Sequence, residues 1–277
     1  MLGKLIKHEW KSTYKVGCIM LFATLVITFF GWMAFQSPMW QNMESSRYRA
    51  SILDALSIVT IIMYAFMLVG VMYGILIYLG VHFYRTMYTD QGYLTHTLPV
   101  TKHQLLGSKI LVSGLWMMFI SLAIFLSVVI LISSLITAVM PAGYSLMEAW
   151  GEIFGALGEW SEWFRNELDF NFVRTLAVFL FSAVISPFTM VMVLFGSISV
   201  GQFFTRFRVL MAIVCYIGIL IIQSILGSLL QNVVLWQSSL GIYIDSTNIF
   251  NALINLLMSI VLYVLSWLVI SKKLNME

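Results

Sequence analysis

Apolar residues fill this chain in long runs, with polar positions gathered between them. Six stretches contain no Asp, Glu, Lys or Arg: residues 16–43, 55–84, 110–147, 175–205, 209–244 and 246–271. Each reaches or exceeds the roughly 20 residues an α-helix needs to cross the hydrocarbon core of a bilayer. The strands of a membrane barrel would instead alternate apolar and polar positions. The pattern therefore predicts an all-α, polytopic membrane protein, a single transmembrane domain over 1–277 with helices near 17–36, 54–82, 108–137, 173–200, 208–230 and 248–270. Pro38 and Pro141 fall just past two of these ends, where a helix stops at little cost. Pro187 lies inside the fourth and predicts a kink, with Ser182 and Ser186 near enough to satisfy the carbonyl it frees.

The segments between the runs differ in character. In residues 1–15, Leu2, Leu5, Ile6, Trp10 and Tyr14 recur at three- and four-residue steps while Lys4, Lys7, Lys11 and Lys15 take other faces. This predicts an amphipathic interfacial helix, Trp10 at headgroup depth and lysines toward anionic lipid. With the N-terminus cytoplasmic and six crossings, eleven of the fifteen Lys and Arg residues lie inside, and only Arg47, Arg49, Arg165 and Arg174 lie outside. That bias predicts both termini in the cytoplasm. The first run is longer than a signal-peptide core and no small-residue cleavage pattern follows Phe35, so it reads as an uncleaved anchor. Segment 142–172 becomes an acidic extracellular segment holding Glu148, Glu152, Glu159, Glu162, Glu167 and Asp169 among Trp150, Trp160 and Trp163. It suits a solvated surface helix and, equally, a face that attracts cationic peptides. The apolar stretch 231–247 is compatible with a re-entrant dip or a plain loop.

Composition sharpens the exclusions. With 61% hydrophobic and 10% charged residues, the chain lies far from a soluble domain, where about a quarter of residues are charged. A net charge of +3 from dispersed basic residues gives no nucleic-acid footprint. Cys18 and Cys215 sit in separate apolar runs and read as small fillers. The chain lacks G-x-x-x-x-G-K-[ST], so it cannot hydrolyse ATP by that route. His8-Glu9 begins like H-E-x-x-H, but Ser12 stands where the second histidine belongs, and no G-x-S-x-G occurs. No catalytic residue, bound cofactor or metal site is predicted. The centres of the runs carry no charge, which argues against an ion-coupled carrier or a voltage sensor; only His82 approaches membrane depth. Gly70-x-x-x-Gly74 permits close helix approach. Asn251, Asn255 and Ser259 form one polar stripe, which either hydrogen-bonds a neighbouring helix or lines a substrate pathway.

A carrier without relay charges or a nucleotide site would have to move substrate passively or draw on a partner. Attention turns to the predicted cytoplasmic loop 83–107. Asp90 can start a helix, Pro99 ends it, and Thr101 can cap the next helix ahead of Gln104. The short helix carries Gly92, Tyr93, Leu94, Thr95, His96, Thr97 and Leu98, a pattern that serves a docking knob or an interfacial filler alike.

The run Asp90-Gln91-Gly92-Tyr93-Leu94-Thr95-His96-Thr97-Leu98-Pro99-Val100-Thr101, followed by Leu105-Leu106-Gly107-Ser108-Lys109, resembles the membrane subunits of ABC transporters of the ABC-2 permease type. Ser197-Ile198-Ser199-Val200-Gly201-Gln202, leading to Arg206, is similar to that family's turn between its fourth and fifth helices. The resemblance implies a six-span permease in a bacterial plasma membrane, paired with a second permease chain and with separate ATPase subunits. Those partners, and not this chain, would bind ATP and Mg. Residues Asp90 to Pro99 would be the coupling helix docked on the ATPase, with Gly201, Gln202 and Arg206 as a second cytoplasmic contact. The implied activity is ATP-driven export, with a peptide, antimicrobial or drug as substrate. The alternative is a non-transporting sensor or scaffold that uses the same ATPase to detect or resist antimicrobial peptides. The sizeable acidic segment and the modest last outer loop depart from some members of that family.

Overall fold

A computed structural model of the chain describes residues 2–37, 40, 52–89, 91–92, 95, 97, 99–139, 145–168, 172–204, 206–235 and 240–272. Seven long helices follow one another and no strand occurs among the described residues: α1 Leu2–Ala34, α2 Ile52–Tyr88, α3 Lys102–Val139, α4 Leu146–Leu168, α5 Phe172–Gly201, α6 Arg208–Leu235 and α7 Leu240–Lys272. All except α4 are long and apolar enough to cross a membrane. The chain is an all-α, multi-pass membrane protein.

The helices overrun the uncharged stretches because their backbone bonds continue beyond the apolar segment. The segment 1–15 is continuous with the first span: α1 is unbroken from Leu2 to Ala34. The helix α2 passes Arg85 to end at Tyr88. At the start of α3, Gln104 N donates to Thr101 Oγ1 at 3.3 Å, the cap expected there. The helix α4 opens with a capping box. Ser145 N and Oγ donate to Glu148 Oε2 at 2.9 and 2.8 Å, and Glu148 N donates to Ser145 Oγ at 3.2 Å.

Side-chain burial runs opposite to that of a soluble bundle. On α1 the buried positions are Glu9, Thr13, Gly17, Thr24, Thr28, Gly31 and Ala34, while Ile19, Phe22, Leu25, Phe29, Phe30 and Met33 are exposed. Lipid already solvates large apolar side chains, so small and hydroxyl-bearing residues are the ones that gain from helix contact. The first turns of α1 keep Lys4, Lys7, Lys11 and Lys15 exposed, but their inward face is not wholly apolar. Glu9 and Thr13 are turned inward, and Trp10 stacks on Trp116 of α3 with ring centroids 4.7 Å apart.

Packing resolves into two compact units. Unit 2 comprises residues 14–75 and 119–159. Its polar centre is Ser127 of α3, whose Oγ lies 2.6 Å from Thr28 Oγ1 and 2.7 Å from Tyr64 OH, tying α1, α2 and α3 together. Ser37 Oγ donates to the buried Asp54 Oδ1 at 2.8 Å, closing the end of α1 onto the start of α2. The Gly70 and Gly74 pair does not bring backbones together: a Cβ at Gly70 would meet nothing within 4 Å, and one at Gly74 only the tip of Met20 at 3.5 Å.

Unit 1 comprises residues 1–13, 76–118 and 160–277. Here α5, α6 and α7 pack pairwise. Met192, Val193 and Leu262 form a buried cluster covered by Ile110, Tyr216, Ile219 and Tyr263. The helix α5 runs through the buried Pro187. Ser182 Oγ is buried without a hydrogen-bond partner, so it does not serve the carbonyl that Pro187 frees. The hydroxyl that engages the backbone there belongs to Thr189, donating to Ser186 O at 2.9 Å.

Candidate functional site

The most polar place inside unit 1 joins the first turns of α1, the last turns of α2 and the start of α3. Lys109 Nζ donates to Glu9 Oε1 at 2.5 Å and to Thr86 Oγ1 at 2.8 Å. His82 Nε2 lies 3.2 Å from Glu9 Oε2. The Thr86 hydroxyl passes its own proton to His82 O at 2.8 Å, so it accepts and donates at once. The Lys109 side chain is 2% exposed and that of Glu9 11%. A carboxylate at this depth stands only because two nitrogen donors share it. One turn further along α1, Thr13 Oγ1 donates to Glu9 O at 3.0 Å and accepts from Trp116 Nε1 at 3.0 Å, which fixes the carboxylate's own backbone.

Sequence reading missed this cluster. It counted Lys109 among the basic residues on the cytoplasmic side and met Glu9 in the incomplete His8-Glu9 motif. The usable signal was depth: Lys109 lies two turns beyond the Thr101 cap, and His82 and Thr86 are one turn apart on the same face of α2.

The segment thought to form a coupling helix begins where this cluster ends. Thr95 Oγ1 donates to Thr86 O at 2.9 Å and to Gln91 O at 2.7 Å, so Thr86 engages Lys109 with its hydroxyl and the loop with its carbonyl. Gly92 N donates to Thr89 O at 2.6 Å, a tight return after α2. Gly92 is buried, and a Cβ there would lie 2.6 Å from Met87 O. Only a residue without a side chain lets the loop fold back this closely. Gln91, Thr97 and Pro99 are exposed. Asp90, Tyr93, Leu94, His96 and Leu98 lie outside the described residues.

The second motif meets the same end of α2. Tyr88 OH donates to Ser199 Oγ at 2.8 Å, and Phe83 stacks on Phe195 with centroids 3.9 Å apart. Gly201 is buried where α5 turns into α6; a Cβ there would sit 2.8 Å from Ala212 N. Gln202 Nε2 donates back to Ile198 O at 3.3 Å, while Arg206 is exposed. Gly201 and Gln202 thus build the turn, and Arg206 is the one of the three that projects from it. Lys102 Nζ donates to Ile270 O and Ser271 O at 3.0 and 3.3 Å, fastening the start of α3 to the end of α7.

The polar stripe on α7 divides. Asn251 packs on α6, its Oδ1 3.0 Å from where a Cβ on Gly227 would lie. The Asn255 carbonyl accepts the Ser259 hydroxyl at 2.7 Å, and the Asn255 side chain is half-buried. Ser259 borders a cavity of about 460 Å³ between α3, α5 and α7, with Ile110, Phe188, Met192 and Tyr263 among its mostly apolar walls. A second cavity, of about 500 Å³, lies beside the ion cluster between the start of α1, the end of α2 and the loop. Neither arrangement pairs a nucleophile with a base, and no group of three or more His, Cys, Asp or Glu among the described residues could hold a metal ion.

No family model, curated protein or solved structure matches this chain.

Proposed function

We propose that this chain is the membrane-spanning permease subunit of an ATP-driven exporter of the ABC-2 type, working with a second permease chain and a separate ATPase that binds ATP and Mg. The observation that carries this reading is the anchorage of the loop after α2. Thr86 links Thr95 of that loop to Lys109, and Lys109 to Glu9, so a displacement of the loop acts on α1, α2 and α3 together. A surface filler has no need of a buried, fully satisfied ion cluster at its root. A lever does, because force must pass into elements that move as one piece.

On this reading the Lys-rich end of unit 1 faces the cytoplasm of a bacterium, consistent with the positive-inside bias. ATP-driven closure of the partner subunits would press on residues 90–99 and bias the membrane dimer between inward- and outward-open packings. This chain supplies the pathway and the lever and no catalytic group. The mostly apolar cavity beside Ser259 suits an apolar cargo such as a hydrophobic peptide or drug. The test is the double variant Leu94→Asp, Leu98→Asp in proteoliposomes with the partner ATPase. Insertion should stay normal while ATP-dependent cargo movement and its stimulation of hydrolysis are lost; unchanged movement in the double variant would remove the lever.

A further inference from the structure

The 500 Å³ cavity beside the ion cluster has walls from three elements: His8 and Ser12 of α1, Tyr78, Val81, His82, Arg85 and Thr86 of α2, and Gln91 and Thr95 of the loop. We infer that it holds the phosphate of an anionic phospholipid drawn from the leaflet at this end of unit 1.

Charge comes first. The carboxylate of the adjoining ion cluster, Glu9, already has one oxygen on Lys109 and the other on His82. Arg85 and His8 are exposed, and neither is in an ion pair among the described residues. Among the described residues, the cavity therefore offers a guanidinium and an imidazole with no acid paired to either. A guanidinium presents parallel N–H donors that match two phosphate oxygens, and Gln91 and Ser12 add neutral donors beside it.

Polarity along α2 then selects a lipid over a soluble anion. Tyr78 and Val81 belong to the uncharged run 55–84, whereas Arg85, Gln91 and Thr95 lie beyond it. From Tyr78 to Arg85 the helix rises about 10 Å. A ligand filling the whole space needs an apolar body at one end and an anionic head at the other. The exposed Lys4, Lys7 and Lys11 on the same helix as His8 would enrich anionic lipid around the mouth. The volume is within the roughly 300–1,000 Å³ of ordinary ligand pockets. This inference does not depend on the transport reading.

The test uses the purified full-length chain in neutral detergent, titrated with phosphatidylglycerol or phosphatidylcholine and read by native mass spectrometry. One phosphatidylglycerol should be retained about tenfold more tightly than phosphatidylcholine. Arg85→Gln should abolish that preference, while Arg206→Gln, which removes the same charge from an exposed position outside the cavity, should leave it. His8→Gln should weaken it several-fold and becomes the deciding variant should Arg85→Gln fail to fold. Equal retention of the two lipids, or unchanged retention in the deciding variant, overturns the inference. Displacement of phosphatidylglycerol by millimolar inorganic phosphate would reassign the cavity to a soluble phosphate and overturn it as well.

Discussion

Replacing Lys109 with methionine keeps most of the side-chain volume and removes one charge from the cluster. Lys109 is 2% exposed and Glu9 11%, so water cannot easily screen the carboxylate left behind. Removing one partner of a buried ion pair costs about 3–5 kcal/mol, chiefly because the other charge stays buried. Two features place Lys109→Met near the lower end, at about 3 kcal/mol. His82 still reaches Glu9 at 3.2 Å, and the Thr86 hydroxyl still donates to His82 O. The double variant Glu9→Gln, Lys109→Met removes both charges and leaves a neutral amide, and should cost only about 1 kcal/mol. The pair should therefore be strongly non-additive, with the double variant more stable than Lys109→Met alone. Denaturant titration in mixed micelles measures this, and the stacked Trp10 and Trp116 give a fluorescence signal next to the cluster. A Lys109→Met protein as stable as the parent, or a double variant less stable than either single one, would refute the buried-pair argument.

Three further outcomes are expected. Gly92→Ala should displace the loop after α2, because its Cβ would strike the Met87 carbonyl, backbone that cannot rotate away; hydrogen exchange should report faster amides across 89–101 with the body of α2 before Met87 unchanged. Asn251→Ala should lower stability through lost α6–α7 packing and leave cargo selection alone, whereas Ser259→Leu, at the apolar cavity, should alter it; a transport assay normalised to folded protein separates the two effects. Glu148 accepts from Ser145 N–H and O–H, which holds its carboxyl below the ordinary value. Since the folded-state value is the lower one, its contribution to the start of α4 is complete above the ordinary carboxylate pKa and is lost as pH falls through the depressed value. Protection of the first α4 amides, relative to their intrinsic exchange rates, should fall over that acid range and stay constant between pH 6 and 8, and Glu148→Gln should flatten the dependence.

The spans were legible because each needs only an uninterrupted apolar run, which is a local property of the chain. Caps were legible for the same reason, as at Thr101. What escaped was the inward face of each helix. In lipid the buried stripe carries no hydrophobic signature, so the apolar periodicity of residues 2–14 pointed Trp10 outward when its partner is Trp116. Likewise Gly70 and Gly74 fit a packing motif yet meet little, whereas Gly92 and Gly201 lie close against backbone. The cluster of Glu9, His82 and Lys109 joins residues 100 positions apart, and no spacing rule reaches across three helices. The short loop motif adjoins this cluster in the chain, but its root in Thr86 and Lys109 depends on tertiary contact.

The central claim is that this chain works as the membrane half of an ATP-driven machine. Gentle-detergent isolation of the tagged chain from its native membrane, with cross-linking and quantitative mass spectrometry, tests it most directly. The expected result is an ATP-binding cassette protein in near-equal amount, cross-linked to residues 90–99. Recovery of the chain without such a partner, after cross-linking, would contradict the account and leave the Glu9–Lys109 cluster as a structural clamp.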